Sequence, residues 1–508
     1  MLSATRHACR LERAAPFRRH GTRTLATAAP QKRAGDISDA FVSLSGQDHK
    51  PLEPRFADLK RRLIAGREDA VRDSWVRLLT DLRQEIPLIV ELGSKAVPEV
   101  RFEDIVAGKV DKRFVDEHKK RGVAIVRGVV DEQVALGWKE DLKQYIRDNP
   151  QTKAFPKDNP QVFELYWSRA QMQARTHPNM LKTQQYLMSH WHTKNPAAPI
   201  STAHPIAYAD RLRMRLPGDA KFALGPHVDG GSCERWEENG YGRGHVYDSI
   251  WDGRWEDFDP WESSCRLDVQ SDLYAGVGAC SMFRMFQGWL SMSETGPFEG
   301  TLLVNPLLAK ATAYYLLRPF FAPKRGPSAT NTNITDAAFL HPDNWALEPE
   351  PSSALQGAYP GHGQELSPAL HPHLFLPRTM VHVPRVRPGD YVAWHCDTIH
   401  AVDATHAGAA DSSVLYIPAC PLTASNARFL ARQRDAFLAG TPCPDFGGGV
   451  GESGHRGRLE GEEVRRFAGV EGARALGLER WGGAAGAGAL LEGQRRVLEV
   501  ADQALGFS

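Results

Sequence analysis

Three tripeptides of the form His-x-Asp occur in this 508-residue chain: His227-Val228-Asp229, His341-Pro342-Asp343 and His395-Cys396-Asp397. A histidine and a carboxylate at that spacing, leaving the end of a strand, can converge on one metal ion, and a second histidine from several strands later completes a facial triad. Such a triad leaves adjacent coordination positions open, as an iron(II) oxygenase needs if a bidentate co-substrate and dioxygen are to bind together. The tripeptide arises easily by chance in a chain with this much His and Asp, so context must separate the three. His227-Val228-Asp229 follows the strictly alternating run Arg211 to Leu216 and precedes Gly230-Gly231, where glycine allows close backbone approach. His341-Pro342-Asp343 lies in a proline-rich stretch, where a turn is the simpler reading. The third belongs to the run Pro388 to Val402, which also holds His400, so His395 and His400 both qualify as the distal ligand.

The elements that must position these residues can be read from periodicity. Leu59, Leu63, Val71, Trp75, Leu78, Leu79, Leu82 and Ile86 recur at helical spacing. Arg121 to Val130 reads as a short strand followed by a helix through Trp138, Leu142, Tyr145 and Ile146, and Phe163 to Trp191 is helical in pattern. Further strands are expected at 211–216, 281–291, 300–305, 381–386, 390–394 and 413–418, mostly separated by Gly or Pro turns. Many short strands after a helical start predict an α+β protein built round a β-sandwich or barrel. Two stretches interrupt the strands as expected surface insertions, 232–279 rich in Trp and acid and 318–378 rich in Pro, Gly and His. Trp236, Trp251, Trp255 and Trp261 would pack the first onto the core or form a substrate lid.

Composition narrows the partners. A net charge of +1 and a hydrophobic content of 42% describe a globular chain, without the basic, aromatic-laced footprint of a nucleic-acid binder. A small-molecule partner is expected, with no nucleic acid and no membrane, and the sequence does not give the oligomeric state. The seven cysteines show no C-x-x-C pair, which speaks against structural zinc or a disulfide scaffold. Residues 1–30 carry Arg6, Arg10, Arg13, Arg18, Arg19 and Arg23 against the single acid Glu12, which reads as a mitochondrial presequence and predicts a matrix location.

The segment from Pro388 to Val402, with a Gly-Asp turn, an apolar strand and two histidines, resembles the distal-ligand strand of the phytanoyl-CoA-hydroxylase branch of 2-oxoglutarate oxygenases. With Phe163 to Trp167, Leu224 to Ser232, Phe286 to Leu290 and Tyr416 to Ala419, the chain is similar to the YbiU-like proteins, grouped with those oxygenases by fold. The resemblance implies a double-stranded β-helix (a cupin-like jelly roll) with flanking N- and C-terminal helices. It implies iron(II) held by His227, Asp229 and His400, 2-oxoglutarate as co-substrate, and His395 as a neighbour of the site. Related halogenases carry a small residue where Asp229 stands, so hydroxylation is the chemistry implied.

One departure concerns the far carboxylate of 2-oxoglutarate, for which such enzymes often keep a basic residue beyond the distal histidine. No Arg or Lys lies between Ala401 and Ala427, and Ser412 and Ser413 stand near the expected place. Arg213, Arg215, Arg284 and Ser413 are therefore the candidate co-substrate contacts, although the basic face of 211–215 also fits a solvated edge strand. The expected organisation is a helical part at 31–200, a catalytic core at 201–425 and a helical extension at 426–508. A cupin-like metal enzyme without 2-oxoglutarate, or a non-catalytic jelly-roll binding protein, are the alternatives.

Overall fold

The structure is a computed structural model that describes residues 37–45, 51–220, 223–327, 336–482 and 490–507. The expected presequence at 1–30 lies outside these residues. Lys32–Ser508 forms one compact unit.

The fold mixes helices with two main sheets, of eight and five strands. Val123–Arg127 shows why the larger sheet forms where it does. Val123 and Ile125 enter one core cluster, while Ala124 and Val126 enter another on the opposite face. A strand buried on both faces needs an unbroken apolar run rather than an alternating one. The second cluster is covered by the helices Glu132–Asp148, Arg169–Thr176 and Pro178–Met188, and the first is shared with Val228, Leu302 and Val304 of the smaller sheet.

From Leu212 the chain crosses repeatedly between the sheets. Leu212–Arg215, Phe286–Ser291, Tyr391–His395 and Ser412–Tyr416 belong to the larger sheet; His227–Val228, Leu302–Val304, Val381–His382 and His400–Val402 belong to the smaller. Leu212–Arg215 lies between Val162–Phe163 and Ser412–Tyr416, with Arg213 and Arg215 both buried, so it is an interior strand and the solvated-edge reading is wrong. The part expected to be helical, 31–200, also contributes Glu99–Arg101, Val123–Arg127, Ala154–Phe155 and Val162–Phe163 to the larger sheet. Val123–Arg127 is the strand expected there from its apolar run; the other three have only two or three residues, too few for a period to show.

The helical lead-in is two helices, Arg55–Ile64 and Glu68–Leu92, parted at Gly66, whose φ of 73° suits glycine. Val71, Trp75, Leu78, Leu79 and Leu82 form the buried stripe of the longer one. The Trp-rich insertion packs on this helix rather than standing clear as a lid: all four tryptophans are buried, and Arg77 donates to the Gly253 carbonyl at 3.0 Å and pairs with Glu256 at 2.7 Å. The helices Ala424–Ala439, Gly461–Ala475 and Glu492–Ala504 form a third cluster against the strand pair Ile200–Ile206 and Cys420–Thr423. Among the described residues, no helix is long and apolar enough to cross a membrane.

Candidate metal centre

Two ligand-type histidines meet because two short strands pair. His227 opens His227–Val228, His400 opens His400–Val402, and the two are directly opposed across the antiparallel ladder. Their rings lie 4.1 Å apart between centroids. His227 Nδ1 donates to the Gly225 carbonyl at 2.7 Å, and His400 Nδ1 donates to the Thr398 carbonyl at 3.1 Å. With Nδ1 occupied, each ring turns a bare Nε2 inward, the tautomer that a ligating imidazole needs.

Asp229 completes the group, with its oxygens 3.7 Å from His227 Nε2 and 3.8 Å from His400 Nε2. All three ligand atoms fall within 4.8 Å of one another. Burial pushes the His400 imidazole down to about 3, so the ring is neutral and can offer its lone pair. Burial works to raise the Asp229 carboxyl, but His400, His227, Arg284 and Arg235 outweigh it and hold the group below its usual value. After Asp229 the chain turns through Gly230 and Gly231 at φ of 78° and 96°, and a Cβ on Gly231 would stand 3.0 Å from the Ser271 carbonyl oxygen. The two glycines are needed for that turn and that contact.

The other two tripeptides are otherwise engaged. His341 and Asp343 are exposed in a loop, with His341 accepting a hydrogen bond from the Asp343 amide. His395 donates from Nε2 to the Pro260 carbonyl at 2.9 Å and accepts the Asp397 amide at Nδ1, so neither ring nitrogen is available to a metal. Its ring stacks on Trp191. Asp397 is fully buried between Arg235 and Arg266, which hold its carboxyl well below the usual range against the opposing effect of burial. Arg235 in turn donates to the Asp229 carbonyl at 2.7 Å, and Tyr241 donates to that of Gly230 at 2.5 Å. The rival motif thus braces the loop that carries Asp229.

The triad opens on a cavity of about 190 Å³ between the sheets. Arg213 and Arg284 line it, together with Arg211, Tyr208, Gln287, Trp289, Trp394 and Tyr416. Arg213 is buried and bonds Gln161 Oε1 at 3.2 Å. Arg284 stands next to the triad, 3.8 Å from Asp229 and over the Tyr208 ring. Arg215 and Ser413 do not line the cavity. The Arg215 guanidinium is taken up by Asp219 at 2.8 Å and the carbonyls of Asp403 and Ala404 at 2.6 and 3.0 Å. Ser413 points to the other side of its strand and bonds Asp411, while Ser412, Val414 and Tyr416 face the cavity. Glu234, also in the lining, accepts the Ser232 and Leu273 amides, and burial pushes its carboxyl up to about 7.

One wall has no local sequence signal. Phe41, from the segment 37–45, packs edge-on against His227 at 4.8 Å. The Gly363 amide donates to the Ala40 carbonyl at 2.8 Å, and Ser43 bonds Glu365 through both its amide and its hydroxyl.

A family model described as Gig2-like matches residues 50–478. The protein described as "Uncharacterized protein YbiU" of Escherichia coli (strain K12) is 30% identical over 407 residues, spanning 78% of this chain and 88% of the relative. The crystal structure of GlcNAc Inducible Gene 2, GIG2, from Candida albicans is similar, with a TM-score of 0.78 at 30% identity over 91% of this chain and 96% of that one. That of a hypothetical protein, JW0805, from Escherichia coli matches with a TM-score of 0.70 at 29% identity over 85% and 99%.

Proposed function

The chain belongs to the Gig2-like family, and from that premise we propose that it is an iron(II)- and 2-oxoglutarate-dependent oxygenase that hydroxylates a small molecule. The observation that carries this reading is the convergence of two imidazole Nε2 atoms and one carboxylate at the wall of a cavity lined by buried guanidinium groups. The donor set fits iron(II): two imidazoles and one carboxylate are the facial triad of non-haem iron oxygenases, and the side chains present fill one face only. The strand order supports the fold side of the reading. Alternate crossing between two sheets that share one interior is the connectivity of a double-stranded β-helix.

Iron(II) held by His227, Asp229 and His400 would supply the redox chemistry by which dioxygen and 2-oxoglutarate convert a substrate C–H to C–OH, with succinate and carbon dioxide released. The residues supply the rest. The Gly225 and Thr398 carbonyls keep both imidazoles in the ligating tautomer. Trp289, Trp394 and Phe41 exclude water. Arg213 takes the far carboxylate of 2-oxoglutarate. It is directly opposed to Val414 across the ladder, so its charge enters the cavity from the strand beside the one on which the sequence lacks a basic residue.

The reading is tested by titrating 2-oxoglutarate into the anaerobic iron(II)-loaded protein. A visible metal-to-ligand charge-transfer band is expected in the wild type and not in His227→Ala, with the 2-oxoglutarate Kd raised about tenfold or more in Arg213→Gln. Tight iron binding with neither band nor heat would instead favour a metal enzyme of the same fold that uses no 2-oxoglutarate.

A further inference from the structure

Three guanidinium groups line the cavity; Arg211 pairs with Asp210, Arg213 is assigned to the co-substrate, and Arg284 is left over. Its side chain is 9% exposed and lines the cavity, and among the described residues no acceptor hydrogen-bonds its guanidinium. Among the described residues, the one carboxylate at ion-pair distance is Asp229, at 3.8 Å. Among the described residues no other acid of the lining stands within ion-pair distance of Arg284: Asp210 pairs with Arg211 at 3.4 Å, Glu234 accepts two backbone amides, and Asp272 accepts the Gly276 amide at 3.0 Å.

Charge counting within the oxygenase reading then isolates Arg284. Of the groups that meet the metal and the co-substrate, a divalent metal, Asp229, a doubly charged 2-oxoglutarate and Arg213 come to neutrality, and Arg211 is balanced by its pairing with Asp210. Asp229 can no longer balance Arg284 once its charge is turned to the metal, and a buried guanidinium without a counter-charge is strongly unfavourable. An arriving anion would restore the balance, and guanidinium geometry favours a two-pronged contact with a carboxylate.

We propose that Arg284 binds an acidic group of the substrate, and that the enzyme acts on small molecules bearing a carboxylate held beside the metal. This rests on the oxygenase reading and adds the substrate's chemical class to it. The aromatic wall of Tyr208, Trp289 and Trp394 suits the apolar part of such a molecule, and a cavity of about 190 Å³ limits it to a small one.

The test uses the anaerobic protein loaded with iron(II) and 2-oxoglutarate, titrated calorimetrically with butanoate and hexanoate and with their primary amides. Each acid is expected to bind on the order of tenfold tighter than its amide. That preference should vanish in Arg284→Gln and recover in part in Arg284→Lys, with the charge-transfer band kept in both variants. Equal binding of acid and amide, or binding of neither, would overturn the proposal. So would loss of the band in Arg284→Gln with its survival in Arg213→Gln, which would make Arg284 the co-substrate anchor. A wild-type protein with no band fails the oxygenase reading itself, and this proposal with it.

Discussion

At the scale of single residues, the candidate triad depends on a brace that touches none of its converging atoms. Asp397 fixes Arg235, and Arg235 holds the Asp229 carbonyl. Asp397→Asn leaves two buried guanidinium groups without their counter-charge, so thermal or denaturant unfolding should show a loss of about 3–5 kcal/mol. The Asp229 loop loosens with it, and a metal titration of the folded variant should give an affinity about 10–100-fold weaker. Spacing and context singled out His227 and Asp229, whereas His395 and His400 both qualified as the second histidine and only the resemblance preferred His400, the one the fold brings beside them. The sequence did not show that His395-Cys396-Asp397 is the support of the motif it rivals, since Arg235 and Arg266 meet Asp397 only through the fold. Alternation along a strand was legible too, but its phase was not: Ser412 faces the cavity where Ser413 was expected, and Arg215 shares a strand with Arg213 yet is consumed by Asp219 and two carbonyls.

At the scale of elements, short pieces do most of the positioning. The strands that carry the histidines are His227–Val228 and His400–Val402, too brief for any period to announce them. The long helix Glu68–Leu92 was plain from its apolar stripe. The segment 37–45 gave no sign, because its seat is built from Gly363 to Glu365 and from His227, far along the chain. Phe41→Ala should open that wall: with all three ligands retained, chelator-driven loss of the metal is expected to quicken several-fold in stopped-flow while loading at saturating metal is unchanged. Gly363→Ala should do the same, since its Cβ would stand 2.6 Å from Phe41 Cε1.

At the scale of the whole molecule, burial of ionisable groups sets the response to acid. Burial, helped by Arg318, pushes His371 and His373 each down to about 3. Both stay neutral in the folded state while the unfolded chain binds protons below its ordinary histidine value near 6.5. Folding stability therefore falls as pH drops from about 6.5 towards 3, by about 1 kcal/mol per pH unit for each group once well below the upper value, and levels off below 3. Denaturant midpoints measured from pH 7 to 4 check this, and His373→Gln should flatten the slope. The two histidines of the candidate centre add a consequence of a different kind, for they are directly opposed residues of one ladder. A slip of one residue would turn an imidazole to the far face of the sheet and break the site. A bound ion would then act as a clasp that proofreads strand register, rewarding the one alignment in which chain segments synthesised far apart in time come to lie side by side.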